Sequence, residues 1–158
     1  MTHQTICCAY CDLTPQDVQG CLAVIGEGNA VNLTSAKEEL PRTTLVAITR
    51  DGKEIVAVGV IKHKREPYAT KIAKESGFAF DETIHELGYV AVKTSHRGRG
   101  LSKEITSLLM SSFTTRPIFA TTSDKHMKRN LSKQGFAPQG KEWTGTTDNV
   151  LSLWMTAL

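Results

Sequence analysis

Apolar positions along the chain repeat at two spacings, near two and near 3.6 residues, and the switches between them mark its elements. Thr5–Leu13 reads as a first strand, with Ile6, Cys7, Cys8 and Ala9 as its buried run. Thr14 then offers a helix cap and Pro15 a first helical position, for a helix to about Ile25, before Gly26 and Gly28. A shorter helix follows, capped by Thr34 or Ser35 and stopped by Pro41. Thr44–Thr49 and Glu54–Lys62 are strands rich in Val and Ile, joined by the hairpin turn Arg50-Asp51-Gly52-Lys53. Glu66–Phe80 holds a helix over Tyr68 to Ser76, inserted before a strand at Glu86–Val92. Gly100–Phe113 is a helix with Leu101, Ile105, Leu108, Leu109 and Phe113 on one face. Pro117–Thr122 is a strand, and Asp124–Gln134 a helix ended by Gly135. Val150–Met155 is a last strand, with a further one near Lys141–Thr144. Such a mixture predicts a layered α/β domain with one twisted sheet. No linker, repeat or low-complexity run divides residues 1–158, which predicts a single domain.

One segment carries chemistry. After the apolar strand comes Arg97-Gly98-Arg99-Gly100-Leu101-Ser102, a loop with little side-chain bulk where a helix begins. The first N–H groups of a helix have no partner inside it, and its dipole is positive there. A diphosphate suits such a place, and two arginines add charge for it. The loop is not a Walker loop, because the Gly-Lys-Ser/Thr ending is missing. Nor is it the dinucleotide fingerprint, because Lys103 stands where a third glycine would be.

The loop resembles the signature of the GNAT superfamily of N-acetyltransferases, Gln/Arg-x-x-Gly-x-Gly/Ala after a strand, which binds the pyrophosphate of acetyl-CoA. Arg97, Gly100 and Ser102 take the three defined positions, Ser102 departing slightly. The element order matches that fold over essentially the whole chain. The resemblance implies an α/β GNAT-type acyl-CoA N-acyltransferase fold, one mixed twisted sheet flanked by helices on both faces, whose strands Glu86–Val92 and Pro117–Thr122 splay apart to receive the pantetheine arm. It implies a cosubstrate site built from Val90, Ala91, Val92, Arg97, Gly98, Arg99, Gly100, Leu101, Ser102 and Asp124. Val90 would offer an N–H to the oxyanion, and Val92 would pair with pantetheine.

The implied reaction is direct attack of an amine on the thioester of acetyl-CoA. An alkylammonium with a pKa of about 10 cannot attack at neutral pH until a base removes its proton. Glu86 lies eleven residues before Arg97, about the spacing of the general-base glutamate in the histone acetyltransferase branch. Burial would raise its pKa and suit it to that role; the alternative is that it starts the strand in solvent. His85 points to the other face of a regular strand, and His96, in the loop, could touch phosphate. The later helix also resembles the superfamily pattern Asn-x-x-Ala-x-x-Leu-Tyr-Glu-Lys-Leu-Gly-Phe. Lys133, Gly135 and Phe136 match, while Asp124 replaces the asparagine and Leu131 the tyrosine. That tyrosine commonly protonates the leaving thiolate, and leucine has no proton to give. Ser132, another hydroxyl or water would serve instead, or the protein binds without turnover. Lys125, Lys128 and Arg129 form either a solvated helix face or a contact for the 3′-phosphate. Tyr68, Phe78 and Phe80 shape an acceptor pocket or simply pack. Trp143 and Trp154 are expected to be structural.

Composition narrows the rivals. A net charge of +3 suits an anionic cosubstrate but does not call for nucleic acid. An RNA-binding role for Arg97, Arg99 and the basic helix would want interleaved aromatics, and there are none. No apolar run approaches the roughly 20 residues of a membrane span, and the N-terminus lacks a secretion signal, so the expectation is cytoplasmic. Cys8-Ala9-Tyr10-Cys11 has no second ligand pair, so reduced core cysteines and no metal are expected. The partners expected are acetyl-CoA and an amine acceptor, small molecule or peptide; a homodimer is compatible. The rival from another class is a non-catalytic CoA-binding sensor.

Overall fold

The computed structural model describes residues 3–27, 33–63, 66–79, 84–145 and 148–157. Gly28 and Phe80 lie outside the described residues. Seven strands hydrogen-bond in the order β1-β2-β3-β4-β5-β7-β6, with β4 and β5 parallel and the β1–β2, β2–β3, β5–β7 and β6–β7 pairs antiparallel. The chain divides into two compact units, Met1–Lys62 with Gly88–Thr114 and His63–Leu87 with Thr115–Leu158.

The first unit contains β1 (His3–Cys8), α1 (Pro15–Glu27), α2 (Leu33–Glu39), β2 (Thr43–Asp51), β3 (Glu54–His63) to Lys62, the later part of β4 (His85–Val92) and α4 (Leu101–Ser112). Thr14 and Asp17 start α1 reciprocally: the Asp17 N–H donates to the Thr14 hydroxyl (3.0 Å) and the Thr14 N–H to the Asp17 carboxylate (3.1 Å). Arg50 on β2 then clamps Asp17 at 2.8 Å. Buried Cys21, Val24 and Ile25, spaced for one helix face, pack on Val46, Ile48, Val58 and Val60 of β2 and β3. The opposite face of the same strands carries α4. Gly59 makes that approach possible, because a Cβ there would meet Ile105 Cγ2 at 2.5 Å. Leu101, Ile105, Leu109 and Met110 are buried on α4. Each fully buried side chain of this kind contributes roughly 1.5–3 kcal/mol. Leu108 and Phe113, expected on the same stripe, are only half-buried.

The second unit contains α3 (Glu66–Ser76), the first residues of β4, β5 (Ile118–Thr122), α5 (Lys125–Lys133), β6 (Phe136–Thr144) and β7 (Val150–Thr156). Its core joins Ile72 of α3 to Ile84, Phe119, Trp143, Leu153 and Met155. In the parallel pairing of β4 with β5, His85 faces Ile118 and Glu86 faces Phe119. Thr121 and Leu153 pair across β5 and β7.

Three expectations need correction. The first strand ends at Cys8, and Tyr10–Asp12 form a 3-10 turn, so Thr5–Leu13 is not one strand. Alternation stops there because the Asp12 and Leu13 N–H groups bond back to Ala9 and Tyr10. The cysteines are not all core residues: Cys21 is buried, Cys7 and Cys8 are half-buried, and Cys11 is exposed. Burial pushes the Cys21 thiol up to about 12. The strand near Lys141–Thr144 begins five residues earlier, at Phe136, because β7 pairs with residues 136–139 and, after a register shift, with Trp143 and Thr144.

Candidate functional site

The loop between β4 and α4 is built by glycines and tied down by its neighbours. Gly98 and Gly100 have φ of 79° and 76°, in the left-handed region that side chains rarely adopt. A Cβ at either would meet nothing within 4 Å, so the space over the loop is open. Gly100 is the residue ahead of α4 and offers no side-chain cap. The first helical bond runs from the Glu104 N–H to the Gly100 carbonyl at 3.1 Å. The N–H groups ahead of Glu104 have no intrahelical acceptor and face the open space at the positive end of the helix. Leu101 is buried, Ser102 half-buried, and Arg97 and Arg99 are exposed. A cleft of about 460 Å³ adjoins the loop along α4, lined by Gly100, Lys103, Glu104 and Thr5 among others.

Four contacts hold the loop's N-terminal side. The Lys93 N–H donates to the Val56 carbonyl at 2.7 Å. The Lys93 ammonium pairs with Glu54, which raises the lysine pKa. The Thr94 N–H donates to Glu27 Oε1 at 2.6 Å, and bonds from Thr94 hold the Glu27 carboxyl below its usual range. His96 Nε2 lies 2.8 Å from Asp51 Oδ2, and Nδ1 lies 2.7 Å from the Ser95 hydroxyl. The hydrogen bond from His96 lowers the Asp51 pKa, helped by the charges of His96 and Arg99. His96 therefore anchors the loop to the β2–β3 turn; its ring is not directed at a ligand. The Arg97 Nε donates to the Val92 carbonyl at 3.3 Å, and the residue is exposed.

Val90, Ala91 and Val92, half-buried on β4, lead into this loop. Just before Val90, Tyr89 has φ of 50°, a conformation uncommon for a residue with a side chain. The Lys62 ammonium sits 4.1 Å from its ring centroid. This backbone interrupts the regular extended geometry of β4 immediately before Val90. Sequence reasoning missed it, and missed the anchors Glu27, Asp51 and Glu54, because their partners lie 67, 45 and 39 residues away.

The other candidates belong to the second unit. Glu86 is 5% exposed, so it does not start its strand in solvent. Asp124 caps α5: its side chain accepts the His126 N–H at 3.0 Å. Leu131 is fully buried, and Ser132, the next residue, is exposed. Lys125 and Arg129 are exposed, and Lys128 lies 3.7 Å from Glu142, as a solvated basic face would. Trp143 is buried in the core, and the Trp154 indole donates to the Ser152 hydroxyl at 2.8 Å. Among the described residues no group of three or more His, Cys, Asp or Glu could hold a metal ion. Among the same residues, no helix is long and apolar enough to cross a membrane.

No family model matches the chain, and no curated protein matches it by sequence. Solved structures do. ElaA of Escherichia coli superposes with a TM-score of 0.70 at 13% identity, covering 99% of this chain and 100% of that one. The NatC complex bound to Gag peptide and CoA gives 0.72 at 12% identity, with 100% and 99% covered. YncA of Salmonella typhimurium, solved with acetyl-CoA, gives 0.68 at 14% identity, with 100% and 95% covered. The chain has the fold of the GNAT acyl-CoA N-acyltransferases.

Proposed function

We propose that the protein is an acetyl-CoA-dependent N-acetyltransferase of the GNAT superfamily, residues 1–158 acting as one transferase domain. The observation that carries the reading is the Arg97–Ser102 loop: two left-handed glycines open the approach to the N-terminus of α4, and two exposed arginines flank it. The diphosphate of acetyl-CoA would accept from the first N–H groups of α4 and from Arg97 and Arg99. Similarity to the acetyl-CoA-bound YncA and CoA-bound NatC structures supports that choice of cosubstrate.

Glu86 is the residue we assign to take the amine's proton. It is buried on β4, where its register partner on β5 is Phe119. The Val90 N–H is assigned to the oxyanion, supported by the left-handed Tyr89 immediately before it. Val92 is assigned to pantetheine, and the acceptor is an amine of a small molecule or peptide. Buried Leu131 and exposed Ser132 favour a second reading, a CoA-binding protein without turnover. Free thiol release from acetyl-CoA across a panel of amines, with direct binding measured alongside, tests the two. Thiol release with at least one amine supports the transferase; tight binding without release supports the sensor.

A further inference from the structure

A second cavity, of about 270 Å³, lies wholly within the first unit, lined by α1, the start of β3 and Lys93. Gly20, Ala23, Val24 and Ile55 give it an apolar lining, and Asp17, Glu27, Lys53, Glu54 and Lys93 give it charge. Pairing within the molecule accounts for most of that charge. Arg50 holds Asp17 at 2.8 Å, and Lys93 pairs with Glu54. Two opposite charges are left. Among the described residues, Glu27 accepts from Thr94 but is in no ion pair. Lys53, exposed in the β2–β3 turn, has no polar partner among them. One anion and one cation at a small, partly apolar cavity complement a small zwitterion. At the roughly 30 Å³ that a water molecule takes up, the cavity has room for about nine heavy atoms, the size of a branched apolar amino acid.

We propose that this cavity reversibly binds a small apolar α-amino acid, its ammonium on Glu27 and its carboxylate on Lys53, and that the bound ligand steadies the β4–α4 loop. The ligand's side chain lies on the apolar lining, where Val24 and Ile55 are themselves buried. Glu27 can serve the ligand and Thr94 together, because an ionised carboxylate has about four acceptor sites. Lys53 reaches the ligand's carboxylate as a point charge on a flexible stem. The link to the loop runs through shared residues. Glu27 holds the Thr94 N–H, Lys93 is tied to Glu54 and to the Val56 carbonyl, and Glu27, Glu54 and Lys93 all line the cavity. A ligand that fixes Glu27 fixes the loop's N-terminal side before acetyl-CoA arrives, so each ligand favours the other. Amino-acid binding stands apart from the transferase reading; only its coupling to acetyl-CoA rests on that reading.

The test is calorimetric titration of the full chain with L-leucine, L-valine and L-methionine. Leucinamide, which lacks the carboxylate, and isocaproate, which lacks the ammonium, are titrated alongside. At least one of the amino acids is expected to bind with a submillimolar Kd. Leucinamide and isocaproate are each expected to bind about tenfold more weakly than leucine, the lower end for losing a hydrogen bond to a charged group. Lys53→Met changes an exposed turn residue, so melting temperature and acetyl-CoA binding without amino acid are expected to stay as in the parent. Its leucine affinity is expected to fall about tenfold, with leucinamide affinity unchanged. Glu27→Gln can still accept from Thr94, and is expected to weaken leucine but not isocaproate. Saturating amino acid is expected to raise acetyl-CoA affinity about fivefold in the parent, and less at the same concentration in Lys53→Met. No binding of any of the amino acids at millimolar concentration overturns the proposal. So does leucinamide binding as tightly as leucine, or parental leucine affinity in Lys53→Met. Leucine binding that leaves acetyl-CoA affinity unchanged overturns the coupling. A parent that binds leucine but not acetyl-CoA supports the site and overturns the transferase reading.

Discussion

The β4–α4 loop and helix α5 both resemble a superfamily pattern, yet the structure treats them differently. The loop has no buried side chain between Lys93 and Gly100; its shape comes from glycine conformations and four long-range anchors. Helix α5 is held by its own cap, Asp124 to His126, and by Leu131 in the core. A segment shaped by backbone leaves N–H groups and charge available for a ligand. A segment whose pattern residues are cap and core has used them for folding. The pattern residues of the loop therefore stay open to solvent, while those of α5 are taken up by the fold.

The largest effect is expected where chemistry would occur. Glu86→Gln is expected to lower kcat by roughly 10²–10⁴-fold, with acetyl-CoA affinity nearly unchanged. Rates across pH with a working amine check this, and equal rates in both forms would hand the role to a water chain.

Gly100→Glu is directed at the loop. It is expected to abolish the stabilisation by acetyl-CoA, about 2.7 kcal/mol at ligand 100 times Kd. Gly100→Ala separates the causes. It carries the same left-handed strain, roughly 1–2 kcal/mol, without the charge or the bulk, and is expected to keep most of the ligand shift. Equal ligand shifts in the parent and Gly100→Glu would place the diphosphate elsewhere.

Leu131→Tyr is the matching change in α5. Because Leu131 is fully buried, a tyrosine there overpacks, at roughly 1–3 kcal/mol, and lowers the melting temperature by a few degrees per kcal/mol without quickening turnover. A faster enzyme with an unchanged melting temperature would show that α5 faces the reaction after all.

Much of this contrast was legible in the sequence. Glycines at 98 and 100, arginines around them and the start of an apolar helical stripe name a loop that meets a helix N-terminus. Register with partners far along the chain was not legible. Asp51 holding His96, Glu27 holding Thr94, and Tyr68 meeting Thr121 depend on strands and helices that only folding brings side by side. Local alternation also misled at Ala9–Leu13, where a 3-10 turn keeps an apolar run without a strand. The left-handed Tyr89 carried no signal, since nothing in a tyrosine announces such a backbone.

The smallest expected effect concerns the loop's anchor. His96 depresses the Asp51 pKa, so the ionised carboxylate stabilises the fold above the ordinary carboxylate range, near 4. That contribution disappears as pH falls through the depressed value. Asp51→Asn is expected to flatten the fall in melting temperature between about pH 5 and pH 3, and to weaken acetyl-CoA binding slightly. An unchanged acid profile would mean that the His96 contact is no more than a surface pairing.

The central claim is that the loop and the first turn of α4 form a diphosphate site for acetyl-CoA. Thermal unfolding of the parent protein with increasing acetyl-CoA tests it most directly. A melting temperature that climbs with ligand, by the equivalent of about 2.7 kcal/mol at 100 times Kd, is the expected result. A melting temperature that stays flat to millimolar acetyl-CoA would contradict it.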